Sequence, residues 1–457
     1  MAMTIDTPNL AARRRSLFWR IHFWAALIAS PFVLLATLTG LLYIFTPQIE
    51  AGLYGHLERV TPPAGAAMLP LDAAVAAARS VVPADLEIQS VMPPATPQDA
   101  LKVGFGPASR ATGEHANHAP LSAVPAAATA ASPRTAASGT AKRTVFVDPY
   151  SARVLGTQLD QDRFSEWARR LHSRLLQGES LRWMIELAAS WMLVMLLTGV
   201  YLWWPQAGRT ALPRAGARGR QAWRQWHAFL GVALGLLSLA MVLTGITWSK
   251  YAGTQVRAVR DWAGQASPQV PPQLHSMPSG GPQLNYQQAW QRVQALEPGV
   301  PAVLTPPRGP HGFWRAASAD RPHPANRFDL VLNAYDGRVL YHAGWERQTA
   351  FGKATAVGIP FHRGELGAWN QVLLFVFAAG VLFSTVSGWV MFFKRRRAGQ
   401  LGLPKLLPGA WRAAPAWSLV LGIGLCVLMP LLALSTAALL VVEIALGRAR
   451  VRAQVAV

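Results

Sequence analysis

Apolar residues gather into five long runs, at 21–45, 181–204, 226–248, 368–393 and 416–446, separated by polar stretches of unequal length. A hydrocarbon core of about 30 Å needs roughly 20 apolar residues in helical form, so each run predicts a transmembrane helix. The fifth contains Pro430. One kinked helix is expected there, because two crossings would need about 40 residues.

The long segments 46–180 and 249–367 have a different texture. Each opens with a helix-like stretch, LPLDAAVAAARSVV at 69–82 and NYQQAWQRVQAL at 285–296, and goes on to alternating runs such as Thr144–Val147 and Phe328–Leu332. A small α+β domain is expected in each. Residues 107–143, rich in Ala, Pro, Ser and Thr, lack the apolar content to bury a core and predict a disordered insertion.

The pattern repeats along the chain. His22 precedes Thr39-Gly40 and His227 precedes Thr244-Gly245 by the same 17 and 18 residues. His172 precedes Thr198-Gly199 by 26, and His362 precedes Ser387-Gly388 by 25. VFVDPYSARVLG at 145–156 and LVLNAYDGRVLY at 330–341 share their apolar alternation, a tyrosine turn and Arg-Val-Leu. The expected fold is a mainly α membrane protein. A duplicated unit of helix, α+β domain and helix gives a four-helix transmembrane core, joined by one C-terminal helix. Two such units in the same orientation form a parallel repeat about an axis along the membrane normal.

Charge sets the expected orientation. Only 14% of residues are charged, yet the formal net charge is +21. Arg13, Arg14, Arg15 and Arg20 precede the first run, which lacks a small-residue cleavage site and so predicts a retained anchor. The basic N-terminus 1–20 and the basic loops 205–225 and 394–415 then lie inside, and 46–180 and 249–367 outside. The tail 447–457, with Arg448 and Arg452, falls outside against that rule. Tryptophans at run ends, Trp19, Trp24, Trp183, Trp203, Trp204 and Trp248, suit the headgroup layer. No nucleic-acid module accompanies the positive charge, which orientation and lipid contact explain.

The repeated histidines carry the candidate chemistry. His22 and His227 are expected at the starts of helices entering from the inner face, His172 and His362 at the starts of helices entering from the outer face. Symmetry about the shared axis would bring each pair together, and two imidazoles across a tetrapyrrole give six-coordinate iron suited to electron transfer. At about 1.5 Å per residue, Gly40 and Gly245 lie roughly 27 Å beyond His22 and His227, level with the opposite pair. Gly40, Gly199, Gly245 and Gly388 would admit a flat macrocycle or, alternatively, close helix packing. The competing reading of the histidines is structural capping of the repeat. Arg170, Arg174, Arg363, Glu179 and Glu365 flank the outer pair, where they could orient propionates or an acceptor, or simply be solvated. His115 and His118 form a loose i, i+3 pair, and His56, His275, His311, His323 and His342 read as surface residues.

Several chemistries lack their signatures. Cys426 is the single cysteine, so neither a disulfide nor an iron–sulfur cluster forms within one chain, and haem would be held non-covalently. No Walker or Gly-x-Gly-x-x-Gly sequence in a strand-to-helix setting, no His-Glu-x-x-His and no Gly-x-Ser-x-Gly occurs. Electrons therefore require a separate donor.

The runs RIHFWAALIASPFVLLATLTG, RRLHSRLLQGES, QWHAFLGVALGLLSLAMVLTGITWS and IPFHRGELGAWNQ resemble the PepSY-associated transmembrane family of iron-regulated membrane proteins, over about 20–395. The resemblance implies PepSY-like outside domains and a bacterial inner-membrane location. It implies two haem b groups on His22, His172, His227 and His362, and reduction of ferric siderophore in the periplasm with release of iron(II). The insertion 107–143 and the fifth run depart from the shortest family pattern. A non-enzymatic PepSY protein that binds or regulates a periplasmic partner is the second reading, and a siderophore permease the third.

Overall fold

The computed structural model of the protein describes residues 9–108, 141–204, 212–396 and 402–455. The chain runs through helices α1 (Leu10–Ile44), α2 (Thr46–Glu58) and α3 (Leu71–Ser80), then strands β1 (Leu86–Met92), β2 (Leu101–Pro107), β3 (Arg143–Val147) and β4 (Val154–Leu159). Helices α4 (Phe164–Arg174), α5 (Arg182–Trp203), α6 (Gly219–Ala233), α7 (Gly235–Ile246), α8 (Ala252–Trp262) and α9 (Tyr286–Leu296) follow. Strands β5 (Ala302–Thr305), β6 (Phe313–Ser318), β7 (Asp329–Asn333) and β8 (Val339–Ala343) precede α10 (Ala350–Arg363), α11 (Ala368–Arg395), α12 (Ala416–Leu428) and α13 (Pro430–Val455). Two compact units result, one helical (1–42, 170–264 and 372–457) and one built on a sheet (43–169 and 265–371).

Among the described residues, α1, α5, α11 and Pro430–Arg448 of α13 are long and apolar enough to cross a membrane. The third expected span is instead two helices, α6 and α7, bent by 57°. Gly231 and Gly235 bracket Leu234, where the ladder changes direction (φ −93°, ψ 0°), and glycine's low helix propensity makes this the weak point of an otherwise apolar segment. The fifth run is also divided. Pro430 disfavours helical backbone at the residue before it, and Met429 is extended (φ −129°, ψ 86°), so the expected kink is a full break. The 13 residues of α12 reach only about 20 Å, short of a crossing. Helix α13 continues through the expected tail to Val455.

The helical unit packs Ala25, Ala29, Val33, Ala188, Trp191, Val242, Phe377 and Val381 into a common core, while Leu236 and Val427 point outward at 80% and 70% exposure, as lipid-facing side chains do. Polar groups inside find partners. Trp191 Nε1 donates to Ser435 Oγ at 2.9 Å and Trp389 Nε1 to Ser30 Oγ at 2.8 Å. Buried Glu186 accepts from the backbone N–H groups of Tyr251 and Ala252 at the start of α8. Arg20 is 1% exposed; it donates to both carboxylate oxygens of Glu443, at 2.7 and 3.1 Å, and to the Pro404 carbonyl at 2.7 Å. Trp24 Nε1 donates to the same carboxylate, so this cluster fastens α13 to α1.

Segments 46–180 and 249–367, expected as separate small domains, each supply four strands to one antiparallel sheet of order β4-β3-β2-β1-β5-β6-β7-β8. The join is narrow, with Val91 paired to Leu304. Helices α3 and α9 lay Leu71, Ala74, Val75, Ala78, Ala289 and Val293 on the core formed by Leu101, Val103, Leu304, Trp314 and Leu330. Asp72 accepts from the N–H groups of Tyr286 and Gln287 at 3.0 and 3.1 Å. Burial, reinforced by the Asp72 charge, pushes the Tyr286 phenol up to about 12. The two tyrosine turns have matching geometry. Asp148 and Asn333 accept from the N–H groups of Tyr150 and Tyr335, both at 2.9 Å, and the phenols donate to the Pro97 and Pro310 carbonyls. His115, His118 and most of 107–143 lie outside the described residues.

Two stability predictions follow from these buried ion pairs. Glu443→Ala strands the Arg20 guanidinium without its carboxylate and is expected to cost about 3–5 kcal/mol, read as a large fall in melting temperature of detergent-solubilised protein. The Arg20→Met/Glu443→Leu double variant should recover most of that loss. In the sheet unit, Glu50 accepts from Arg163 and from the Ser165 N–H. Burial alone would raise its pKa, but these hydrogen bonds outweigh burial and hold it below the ordinary carboxylate value. A depressed folded-state pKa stabilises above the unfolded value, and that stability fades as pH falls through the folded value. Acid titration followed by circular dichroism should therefore show a weaker pH dependence below about pH 4.3 in Glu50→Gln.

Candidate functional site

Four histidines were expected at helix starts, and the structure places them differently. His22 lies more than three turns into α1, and His227 two turns into α6. His172 occupies the last turn of the amphipathic helix α4 rather than the start of a span. Leu175 and Leu176 then take left-handed backbone (φ 51° and 63°) before α5 begins. His362 likewise occupies the last turn of α10, which Gly364 ends in left-handed backbone at φ 73°. Apolar periodicity runs through such breaks, so the sequence pattern alone does not reveal them.

The helical unit brings His22 and His227 together. Their ring centroids are 6.5 Å apart with the rings at 87°. Metal–imidazole bonds of about 2.0–2.1 Å, with roughly 1.1 Å more to each ring centre, give about 6.3 Å for two imidazoles on opposite sides of one ion, so the spacing matches trans ligation.

The neighbouring helices decide which ring nitrogens face the gap. His22 Nδ1 lies 3.1 Å from the Met195 carbonyl and 3.1 Å from Thr198 Oγ1 on α5. His227 Nδ1 lies 3.0 Å from the Ser384 carbonyl and 2.8 Å from Ser387 Oγ on α11. A carbonyl only accepts, so each Nδ1 carries the proton and each Nε2 keeps its lone pair. The hydroxyls are already committed as donors, Thr198 to Val194 O at 2.7 Å and Ser387 to Ser384 O at 2.8 Å, and therefore accept from the imidazoles. His172 follows the same rule, with Nδ1 at 3.0 Å from Thr39 Oγ1, whose own proton goes to Leu35 O.

The glycines of the Thr-Gly and Ser-Gly pairs give these rings room. A Cβ at Gly199 would lie 3.2 Å from His22 Cε1, one at Gly40 3.3 Å from His172 Cε1, and one at Gly388 3.7 Å from His227 Cε1. The surface that each of these three glycines presents is taken by an imidazole. Gly245 and His362 belong to different units.

A cavity of about 1240 Å³ opens beside the His22–His227 pair, lined by α1, α5, α6 and α11. Its walls are largely apolar, with Arg15, Arg220, Arg224, Arg395 and Lys405 among the lining residues and no Asp or Glu among those described. Arg395 stacks over Trp19 and Phe23 at 5.1 and 5.4 Å, and Arg15 donates to the Leu202 carbonyl, so both cations are held in place. The flanking charges near His362 are already in a network: Arg363 donates to the Tyr43 phenol at 2.7 Å and pairs with Glu365, which also pairs with Arg321.

Sequence reasoning missed the Arg20–Glu443 pair, although Glu443 alone in an apolar run was the available signal. It also treated His275 and His311 as unrelated, whereas their ring centroids lie 6.2 Å apart.

No curated protein matches the sequence. The family model described as the PepSY-associated TM region matches residues 19–395, which takes in all four repeated histidines, the sheet and the first four apolar runs. The chain is a multi-pass membrane protein and belongs to the PepSY-associated TM region family.

Proposed function

We propose that this protein is an inner-membrane haem oxidoreductase that carries electrons from a donor on the cytoplasmic side to ferric siderophore in the periplasm, releasing iron(II). The observation that carries the reading is the His22–His227 pair, set at trans-ligand spacing with both Nδ1 atoms tied to an adjacent helix. His22 and His227 would hold haem non-covalently, and it would supply a one-electron carrier there.

The protein's own groups do the positioning. Thr198 and the Met195 carbonyl orient His22, and Ser387 and the Ser384 carbonyl orient His227, which fixes the tautomer and raises ligand basicity. The apolar walls keep water from the ring nitrogens, while Arg15, Arg220 and Arg395 provide the positive field that tetrapyrrole carboxylates need. The repeat in sequence extends the proposal to His172 and His362 and a second haem b. The acceptor follows from family resemblance. One electron per iron(III) weakens binding by hard oxygen ligands and frees iron(II).

Protein from haem-replete cells is expected to show a low-spin bis-imidazole spectrum, with the inner haem lost in His22→Ala and His227→Ala and the remaining haem lost in His172→Ala and His362→Ala. Dithionite-reduced protein should reoxidise on adding a ferric siderophore while an iron(II) chelator colours in step. Folded but colourless protein would instead favour the non-enzymatic reading. Thr198→Val keeps the Met195 carbonyl but removes one acceptor from His22 Nδ1. Its haem affinity, measured by titrating haem into apoprotein, should fall about 10-fold or more with fold retained.

A further inference from the structure

The sheet unit contains a second imidazole pair, independent of the membrane helices. His275 lies in the loop between α8 and α9 and His311 two residues before β6, and both side chains are exposed. The loops that carry them are fixed from below. Leu274 and Phe313 belong to one cluster with Val270 and Val331. Ser276, fully buried, donates its N–H to the His311 carbonyl at 3.0 Å, and its Oγ accepts from the Ala334 N–H at 2.9 Å.

These contacts also set the tautomers. His275 Nδ1 donates to the Gln273 carbonyl at 2.9 Å and His311 Nδ1 to the Ser276 carbonyl at 3.3 Å, so each Nε2 carries a lone pair. The ring centroids are 6.2 Å apart at 82°. Two other histidines of this unit meet carboxylates, His323 with Asp320 and His342 with Glu297. His275 and His311 have no such ion pair among the described residues. The spacing of the two exposed rings leaves room for a single ion between them.

The geometry points to a two-histidine site for a soft transition-metal ion, copper(I), on the sheet unit. With metal–imidazole bonds of about 2.1 Å and about 1.1 Å more to each ring centre, the observed separation corresponds to an N–metal–N angle of roughly 150°. Imidazole suits copper, zinc and nickel, but a near-linear pair of neutral donors without a carboxylate suits a monovalent d10 ion above divalent ions that want four or six ligands.

The test uses the full-length protein in detergent, titrated anaerobically with copper(I) against bicinchoninate, beside His275→Ala and His311→Ala. All the membrane-unit histidines are present in each sample, so their uptake cancels. The parent is expected to hold one copper(I) more than either variant, and its X-ray absorption edge should carry the feature of near-linear two-nitrogen coordination. Equal uptake by the parent and both variants overturns the site. So does loss in one variant alone, because a pair requires both rings. Unchanged melting temperatures in the variants exclude misfolding as the cause of a loss. None of these readouts depends on haem, so the site stands or falls apart from the proposed redox function.

Discussion

Inside a bundle of apolar helices, a polar group that leaves water must find its partner on the next helix, since hydrocarbon offers none. In the membrane unit the imidazole Nδ1–H groups of His22, His172 and His227 meet this constraint in one way, with Thr or Ser hydroxyls whose own protons return to the carbonyl three or four residues back. That arrangement holds the ring, selects its tautomer and turns the Nε2 lone pair away from the supporting helix. An unprotonated Nε2 on each ring is thus a by-product of keeping a buried donor satisfied.

The glycines belong to the same device. A hydroxyl residue followed by glycine places an acceptor and an absent side chain next to each other, so an imidazole can reach the acceptor while lying against bare backbone. Alanine at Gly199 or Gly40 would press within 3.2–3.3 Å of the ring, tighter than ordinary van der Waals contact. The small residue therefore makes room for the imidazole as well as for helix packing, and both uses draw on close approach.

Away from the histidines, buried charges tie further elements together. Glu443 binds α13 to α1 through Arg20 and Trp24, and Glu186 caps the start of α8. Each is a short-range arrangement in which an unpaired partner would be far more costly than in water. In the sheet unit, Asp72 of α3 performs the equivalent task at the start of α9.

How much of this was legible in the sequence depends on the range of the interaction. Apolar run length determined the membrane helices, alternation determined strands such as β3 and β7, and recurrence of His with Thr-Gly or Ser-Gly marked the residues that meet in the membrane unit. These signals are local, with hydrophobic period and spacing written directly in neighbouring residues. Tertiary structure decided that the kinks signalled by Gly231, Gly235 and Pro430 become full breaks, that α4 and α10 end in left-handed turns just past His172 and His362, and that eight strands form one sheet. It also decided which imidazole meets which hydroxyl and that Arg20 pairs with Glu443, 423 residues away. Such pairings arise from which groups are left unsatisfied when particular helices and loops pack, and one-dimensional spacing carries no record of that.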